Sequence, residues 1–370
     1  MRIAYGIFGY GRGHATRAAA VLRELSSRHE LLLIAGGDAY DQLSGSYPVM
    51  RIPTLGYAYG GSGKRSNYLT IRQNSWHVLD ILFRGPVSQQ VTAALKDFHP
   101  DVVISDAEPW THRAARRLGI PRIGFDHFGI MVHCKLPMPW LDWLRSFRDV
   151  WIYRILMGKP QRVIVSSFYD APPRWPGVEV IGPLLRDEVL QIPSVHGDHF
   201  LCYFNKGQHQ FTPEVEQTLR SINAPVYVYG VTGRRGMSGN IDFRPPSNMP
   251  FAEDLASCRA IISTAGNQLV GEALHFGKPM LVMPEDCVEQ RLNAAAISRL
   301  GIGMETTFAA FSPAVIQRFL ELEPTYRERT RVVARDGRAE AIRTIERFLR
   351  ELAPAAAISQ IAPAAAAGEP

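Results

Sequence analysis

The stretch from Ser263 to Gly303 restricts the fold of this chain more than any other. A short apolar run, Arg259 to Ser263, ends in a turn of small residues, Thr264-Ala265-Gly266. A helix is expected from about Asn267 to Phe276, because Gly277 and Pro279 stop it there. Met280 to Met283 is a second apolar run and reads as the next buried strand. Pro284 ends it, and an acidic, amide-rich loop leads into another helix at about Arg291. Strand, turn, helix, strand, loop and helix in this order build part of a parallel sheet.

The chemistry of the unit follows from its geometry. The turn Thr264, Ala265 and Gly266, with Asn267 opening the helix, places unpaired backbone N–H groups where an anion is favoured, as on a phosphate. Gly266 lets that anion come close to the backbone. Glu272 lies roughly one and a half turns further on. A carboxylate there suits the two hydroxyls of a ribose, since it accepts both. Glu289 and Gln290 follow the next strand at the same sheet edge and offer acceptors and donors to a hexose. One edge thus holds a diphosphate site, a ribose site and a hexose site in order.

The rest of the chain repeats the alternation. In the first half, strands are expected at Arg2–Phe8, Leu31–Ala35, Val49–Ile52, Asp101–Ser105, Arg122–Phe125, Arg162–Ser166 and from Val178. A helix is expected over Ala15–Ser27, a long helical region over Thr70–Phe98 broken near Gly85-Pro86, and a helix over Pro109–Leu118. The Gly, Ser and Tyr rich segment Tyr57–Asn67 reads as a mobile loop. Gly182-Pro183 marks an exit, and a second series starts with His199–Phe204, Thr212–Ser221 and Val226–Gly230. The fold class is α/β: two Rossmann-like doubly wound domains, residues 1–182 and 183–352, facing across a cleft. The Ala and Pro rich tail, 353–370, is expected to be disordered.

In the first half, the turn Gly9-Tyr10-Gly11-Arg12-Gly13-His14 has the wrong spacing for a dinucleotide fingerprint, and strand two lacks a terminal acid. Its Gly13 is grouped with the donor-binding residues. His14 stands where such sheets bind ligands, and an imidazole is the side-chain type suited to act as general base for an acceptor hydroxyl. Asp106, after the fourth strand, opens on the same edge and suits the partner that orients the imidazole. Asp126 and His127 follow the fifth strand and are candidates for the acceptor pocket or for the base in place of His14. Asn205 and Lys206, in the equivalent turn of the second half, are candidates for phosphate or the transferred sugar. The loop Thr232–Gly239, with Arg234-Arg235, reads either as a cover over the nucleotide or as a solvated basic loop.

The stretch from Gly266 to Ala294 resembles the donor-binding signature of GT-B glycosyltransferases that use nucleotide-diphosphate sugars, the UDP-glycosyltransferases of family 1 and family 28-like enzymes. Their pattern is a small-residue turn, a helical Glu, G-x-P, an apolar strand, and an acid plus Gln followed by N-A. This chain supplies Gly266, Glu272, Gly277, Pro279, Met280–Met283, Glu289-Gln290 and Asn293-Ala294. The resemblance implies a hexosyltransferase with no cofactor. A hexose would pass from a nucleotide-diphosphate sugar, UDP before TDP, to a small-molecule or lipid hydroxyl with inversion. It also implies that His14 is the base and that the last helix packs back on the first domain. No D-x-D motif occurs, so a mechanism without metal is expected. Two rivals stand beside this reading: a UDP-sugar 2-epimerase-like isomerase, and a non-catalytic nucleotide-sugar binding protein.

Composition narrows the partners. Hydrophobic residues make up 46% and charged ones 21%, the mix of a globular protein. The 4 cysteines show no C-x-x-C pairing, which argues for a reducing compartment and against a zinc site. Net charge +6 favours anionic partners such as nucleotide sugars or an acidic membrane face. No nucleic-acid motif accompanies it. With no apolar run of membrane-spanning length, the expected location is cytoplasmic, at or near the inner membrane face. The segment Trp140–Arg162 interleaves Trp, Phe and Tyr with Arg and Lys. It reads either as an interfacial membrane anchor or as a core-facing helix with a basic outer side.

Overall fold

The structure, a computed structural model, describes residues 1–58, 66–245 and 249–353. Most of the segment expected to be a mobile loop, and nearly all of the expected disordered tail, lie outside the described residues.

The first half carries β1 (Arg2–Ile7), α1 (Arg12–Arg28), β2 (Glu30–Ala35), α2 (Gly37–Leu43), β3 (Val49–Arg51), α3 (Asn67–Phe83) and α4 (Pro86–Phe98). There follow β4 (Val102–Asp106), α5 (Pro109–Arg117), β5 (Arg122–Asp126), α6 (Gly129–His133), α7 (Trp140–Met157), β6 (Arg162–Ser166) and β7 (Val178–Ile181). The strands form one parallel sheet in the order β3-β2-β1-β4-β5-β6-β7. Strand alternation divides the side chains. Ile3, Tyr5 and Ile7 go to one face, under α1, and Ala4 and Val103 to the other, under Trp110, Leu156 and Met157. The helix break near Gly85-Pro86 has a local cause. Arg84 closes α3 in the left-handed region at φ 61, and the Asp80 carboxylate caps α4 by accepting from Val87 and Ser88 N–H at 3.0 and 2.9 Å.

The second half carries α8 (Asp187–Gln191), β8 (Phe200–Tyr203), α9 (Gly207–Gln210), α10 (Pro213–Arg220), β9 (Val226–Tyr229), β10 (Gly236–Ser238), β11 (Ile241–Phe243) and α11 (Met249–Ser257). Then come β12 (Ala260–Ser263), α12 (Asn267–His275), β13 (Met280–Val282), α13 (Val288–Leu300), β14 (Gly303–Glu305), α14 (Pro313–Val333) and α15 (Arg338–Leu352). This sheet runs β10-β11-β9-β8-β12-β13-β14, parallel except where β10 pairs antiparallel with β11. The last helix crosses back: Ile345, Phe348 and Leu349 of α15 are buried with β1 and α1 in the first half's core.

Among the described residues no helix is long and apolar enough to cross a membrane.

Candidate active site at the facing strand ends

In each sheet the strand order reverses beside the first strand, between β1 and β4 and between β8 and β12. Connections leave such a point in opposite directions, which opens a crevice at the carboxyl ends of the strands. His14 and Asp106 of the first half, and Asn205, Lys206 and the turn of Thr264, Ala265 and Gly266 of the second, lie at these two points.

In the first half, Gly11 takes φ 88, and its N–H donates to Asp38 Oδ2 at 2.9 Å. A side chain would be strained in this backbone, and the bend starts α1 at Arg12, earlier than the expected Ala15. His14 therefore lies in the first turn of α1. Its Nδ1 sits 2.6 Å from Asp106 Oδ1 at the end of β4. Arg17, one turn along, donates from Nε and Nη2 to the two oxygens of Asp106 at 2.8 and 2.7 Å, and Nη2 lies 3.0 Å from His14 Nδ1. Asp106 is wholly buried, while His14 keeps 22% of its side chain exposed. Burial pushes the Asp106 carboxyl up, but the Arg17 guanidinium and then His14 outweigh it and hold the group below the usual carboxylate range. An ionised Asp106 against Nδ1 places the imidazole proton there and leaves Nε2 as the basic nitrogen.

The second half repeats the plan with neutral groups. Asn205 Nδ2, after β8, donates to Thr264 Oγ1, after β12, at 3.3 Å. Gly266 N–H closes onto the Thr264 carbonyl at 3.0 Å, and Asn293 Nδ2 of α13 donates to the Ala265 carbonyl at 2.9 Å. The turn at the start of α12 is thus fixed from two sides. At both Gly266 and Gly13 an added Cβ would meet nothing within 4 Å, so each backbone faces open space. Lys206 lays its ammonium 5.5 Å from the ring centroid of Tyr10, across the gap between the halves. Gln210 Oε1 accepts from Lys206 N–H at 3.1 Å, and its Nε2 donates to Glu285 at 2.7 Å. Gln290 accepts from Glu285 N–H at 2.9 Å. Glu289 and Gln290 lie in the first turn of α13, which starts earlier than the expected Arg291, and this turn is tied to the loop with Asn205 and Lys206.

Four expected site residues are placed differently from the sequence reading. Glu272 is buried and faces a guanidinium: Arg186 donates to its two oxygens at 2.8 and 2.7 Å, and Gln268 adds a bond at 3.0 Å. Asn267 bonds the first half instead of an open crevice, accepting from Phe168 N–H at 3.3 Å. Asp126 is buried, with one oxygen accepting from Gly129 N–H and the other from Tyr153 Oη, both at 2.6 Å. His127 is buried as well, its Nδ1 2.8 Å from the Ser166 carbonyl and its Nε2 3.3 Å from Asn293 Oδ1. Glu289 reaches within 3.8 Å of the same Nε2. His127, Asn267 and Asn293 therefore join the halves behind the crevice. The loop with Arg234-Arg235 is also not a free cover: Arg234 is paired with Glu216 and stacked on Phe243, and Gly236–Ser238 forms β10.

Three residues at the site were outside the sequence reading of roles. Arg17 carried a readable signal, being three residues after His14 on one helix face. Asn293 stood in the N-A pair without a role. Arg186 lies in the connection between the sheets, where neither period nor motif singles out a side chain.

The sequence profile of the family described as glycosyl transferase family 1 matches residues 1–324. An uncharacterized glycosyltransferase of Methanosarcina mazei is 25% identical over 90% of this chain and 94% of its own. In shape, the chain is similar to the glycotransferase of kitacinnamycin, with TM-score 0.67, 20% identity, and 95% of this chain and 99% of that one covered. The glycosyltransferase VinC, solved in complex with DTDP, gives TM-score 0.60 at 17% identity over 95% of this chain and 100% of its own. The two parallel-dominated sheets have the GT-B arrangement of these structures.

Proposed function

Because the chain belongs to glycosyl transferase family 1, and is therefore a glycosyltransferase, we propose that it transfers a hexose from a nucleotide-diphosphate sugar to a hydroxyl with inversion. The acceptor hydroxyl loses its proton to His14 Nε2 as its oxygen attacks the anomeric carbon. The bond from that carbon to the diphosphate breaks on the opposite side, and the nucleoside diphosphate leaves. Asp106, held ionised by Arg17, fixes the tautomer and offsets the charge that forms on the imidazole. The N–H groups at the start of α12, with Lys206 close by, stabilise the leaving diphosphate without a metal.

The observation that carries this reading is the arrangement of His14, Asp106 and Arg17 at one sheet's reversal point, on the same crevice as the open backbone of Gly266. UDP is the first choice of nucleotide, with Glu272 as ribose ligand once Arg186 yields, and TDP the second. Glu289 and Gln290 complete the donor side. An epimerase would need several acidic residues at the hexose, and a pure binding protein has no task for a first-loop imidazole aimed by a buried carboxylate. The test is nucleotide release from a panel of UDP- and TDP-sugars with and without acceptors. Release that needs an acceptor supports transfer. Interconversion of the sugar without release, or saturable binding with no turnover on any acceptor, would refute it.

A further inference from the structure

Two helices of the first half leave wide apolar faces bare. On α3, Trp76, Leu79 and Phe83 are exposed and lie on one side of the helix, Trp76 at 70% and Phe83 at 76%. On α7, Trp143, Phe147 and Trp151 recur at every fourth residue and are likewise exposed. Both helices turn their inner sides to the same core layer: Ile81 of α3 and Tyr153, Leu156 and Met157 of α7 are buried there with Trp110 of α5. Arg117 of α5 donates to the Ile81 carbonyl, and Arg113 to carbonyls of α7. The bare faces therefore look outward from one side of the first sheet. Soluble proteins rarely leave this much apolar surface open without a partner.

Charge decides between partners. Arg72 and Arg84 flank the exposed side of α3, and Arg145 and Arg154 that of α7. None of the four is in an ion pair among the described residues. The acids nearby are committed: Asp142 to Arg291, Asp149 to Arg148, and Asp80 to the α4 cap and Trp110. A second copy docked on this face by a two-fold axis would set arginine against arginine with no acid between them. An anionic bilayer surface meets both requirements, since tryptophan favours the headgroup level and arginines bind acidic lipid. We propose that the α3–α7 face docks the protein on an anionic membrane surface. The face reaches the crevice at both ends: Gly56, hydrogen-bonded to Asn74 of α3, packs on Tyr10, and Asp142 of α7 pairs with α13.

The experiment is flotation of the full chain with phosphatidylcholine vesicles, with and without phosphatidylglycerol. The chain is expected to float with the anionic vesicles, to stay behind with the neutral ones, and to be released by salt. Trp143→Ser with Phe147→Ser and Trp151→Ser should lower partitioning at least about tenfold with an unchanged Tm. Arg145→Ala and Arg154→Ala should each lower it roughly fivefold. Should the triple variant not fold, brominated lipid gives a second reading on the native chain, whose tryptophan fluorescence should be quenched on anionic vesicles. The proposal is overturned if the native chain does not float with anionic vesicles, or if brominated lipid leaves its fluorescence unchanged. It is also overturned if the folded triple variant floats as well as the native chain, or if gel filtration shows a dimer that the triple variant disperses and no lipid binding.

Discussion

His14 lies between two opposite charges, and that makes its role testable by direction as well as by size. Asp106 is the anion at 2.6 Å and Arg17 the cation at 3.0 Å. Losing a negative neighbour lowers an imidazole pKa, and losing a positive one raises it. Asp106→Asn should therefore move the acid limb of kcat/KM to lower pH, and Arg17→Leu should move it to higher pH. Arg17→Leu also leaves Asp106 buried with one cation fewer, at a cost of about 3–5 kcal/mol of stability. Shifts in the same direction for the two variants would contradict the arrangement. Glu272 makes a second case. Glu272→Ala should weaken UDP binding by roughly 1.5–3 kcal/mol, the worth of hydrogen bonds to a charged group. Arg186→Ala, which uncovers the carboxylate, should leave that affinity equal or higher. Calorimetry with both variants decides; unchanged affinity in Glu272→Ala removes the ribose assignment.

At the scale of elements, what the sequence could say depended on how much local chemistry each element carries. The strands β1, β4 and β5 are legible because a sheet buried on both faces writes them as short, mainly apolar runs with no alternation. The break between α3 and α4 is legible through Gly85-Pro86. The strand β10 is not: it is three residues long, and Gly236 and Gly239 take φ 77 and 64, so the segment looks like a basic loop. The crevice was legible at His14, Asp106 and Gly266, where strand ends and glycines fix position. It was not legible at Asn267 or His127, whose partners lie in the other half of the chain, nor at Glu272, whose partner Arg186 lies in the connection between the sheets, and no local pattern reports them.

Two elements carry further expectations. In α5, His112 is fully buried with both ring nitrogens unpaired, and burial, with Arg122 next, pushes it down to about 3. The unfolded chain binds this proton near the ordinary value of about 6.5. Stability from the neutral ring is therefore complete above that value and drains as pH falls toward 3. His112→Phe should flatten the fall in Tm over this window, and an unchanged slope would place the acid sensitivity elsewhere. In α12, a Cβ on Gly271 would come within 2.6 Å of Pro183 in the connection between the sheets. Gly271→Val should cost about 1–3 kcal/mol by overpacking, read as a shift in the denaturation midpoint.

At the scale of the whole molecule, the two sheets divide the labour. The first holds the proton-taking group at its reversal point, and the second offers open backbone at the start of α12. Links through His127, Asn267 and Asn293 hold the two together behind the crevice. This division predicts that chemistry and donor binding separate on mutation. The most direct test is His14→Ala, assayed for turnover across pH and for UDP affinity by calorimetry. Turnover should fall about 10²–10⁴-fold, the usual worth of a positioned general base, and the acid limb should vanish while UDP affinity stays the same. A variant that keeps more than about a tenth of the rate, or loses UDP affinity in step with it, would contradict the assignment of His14 as the base.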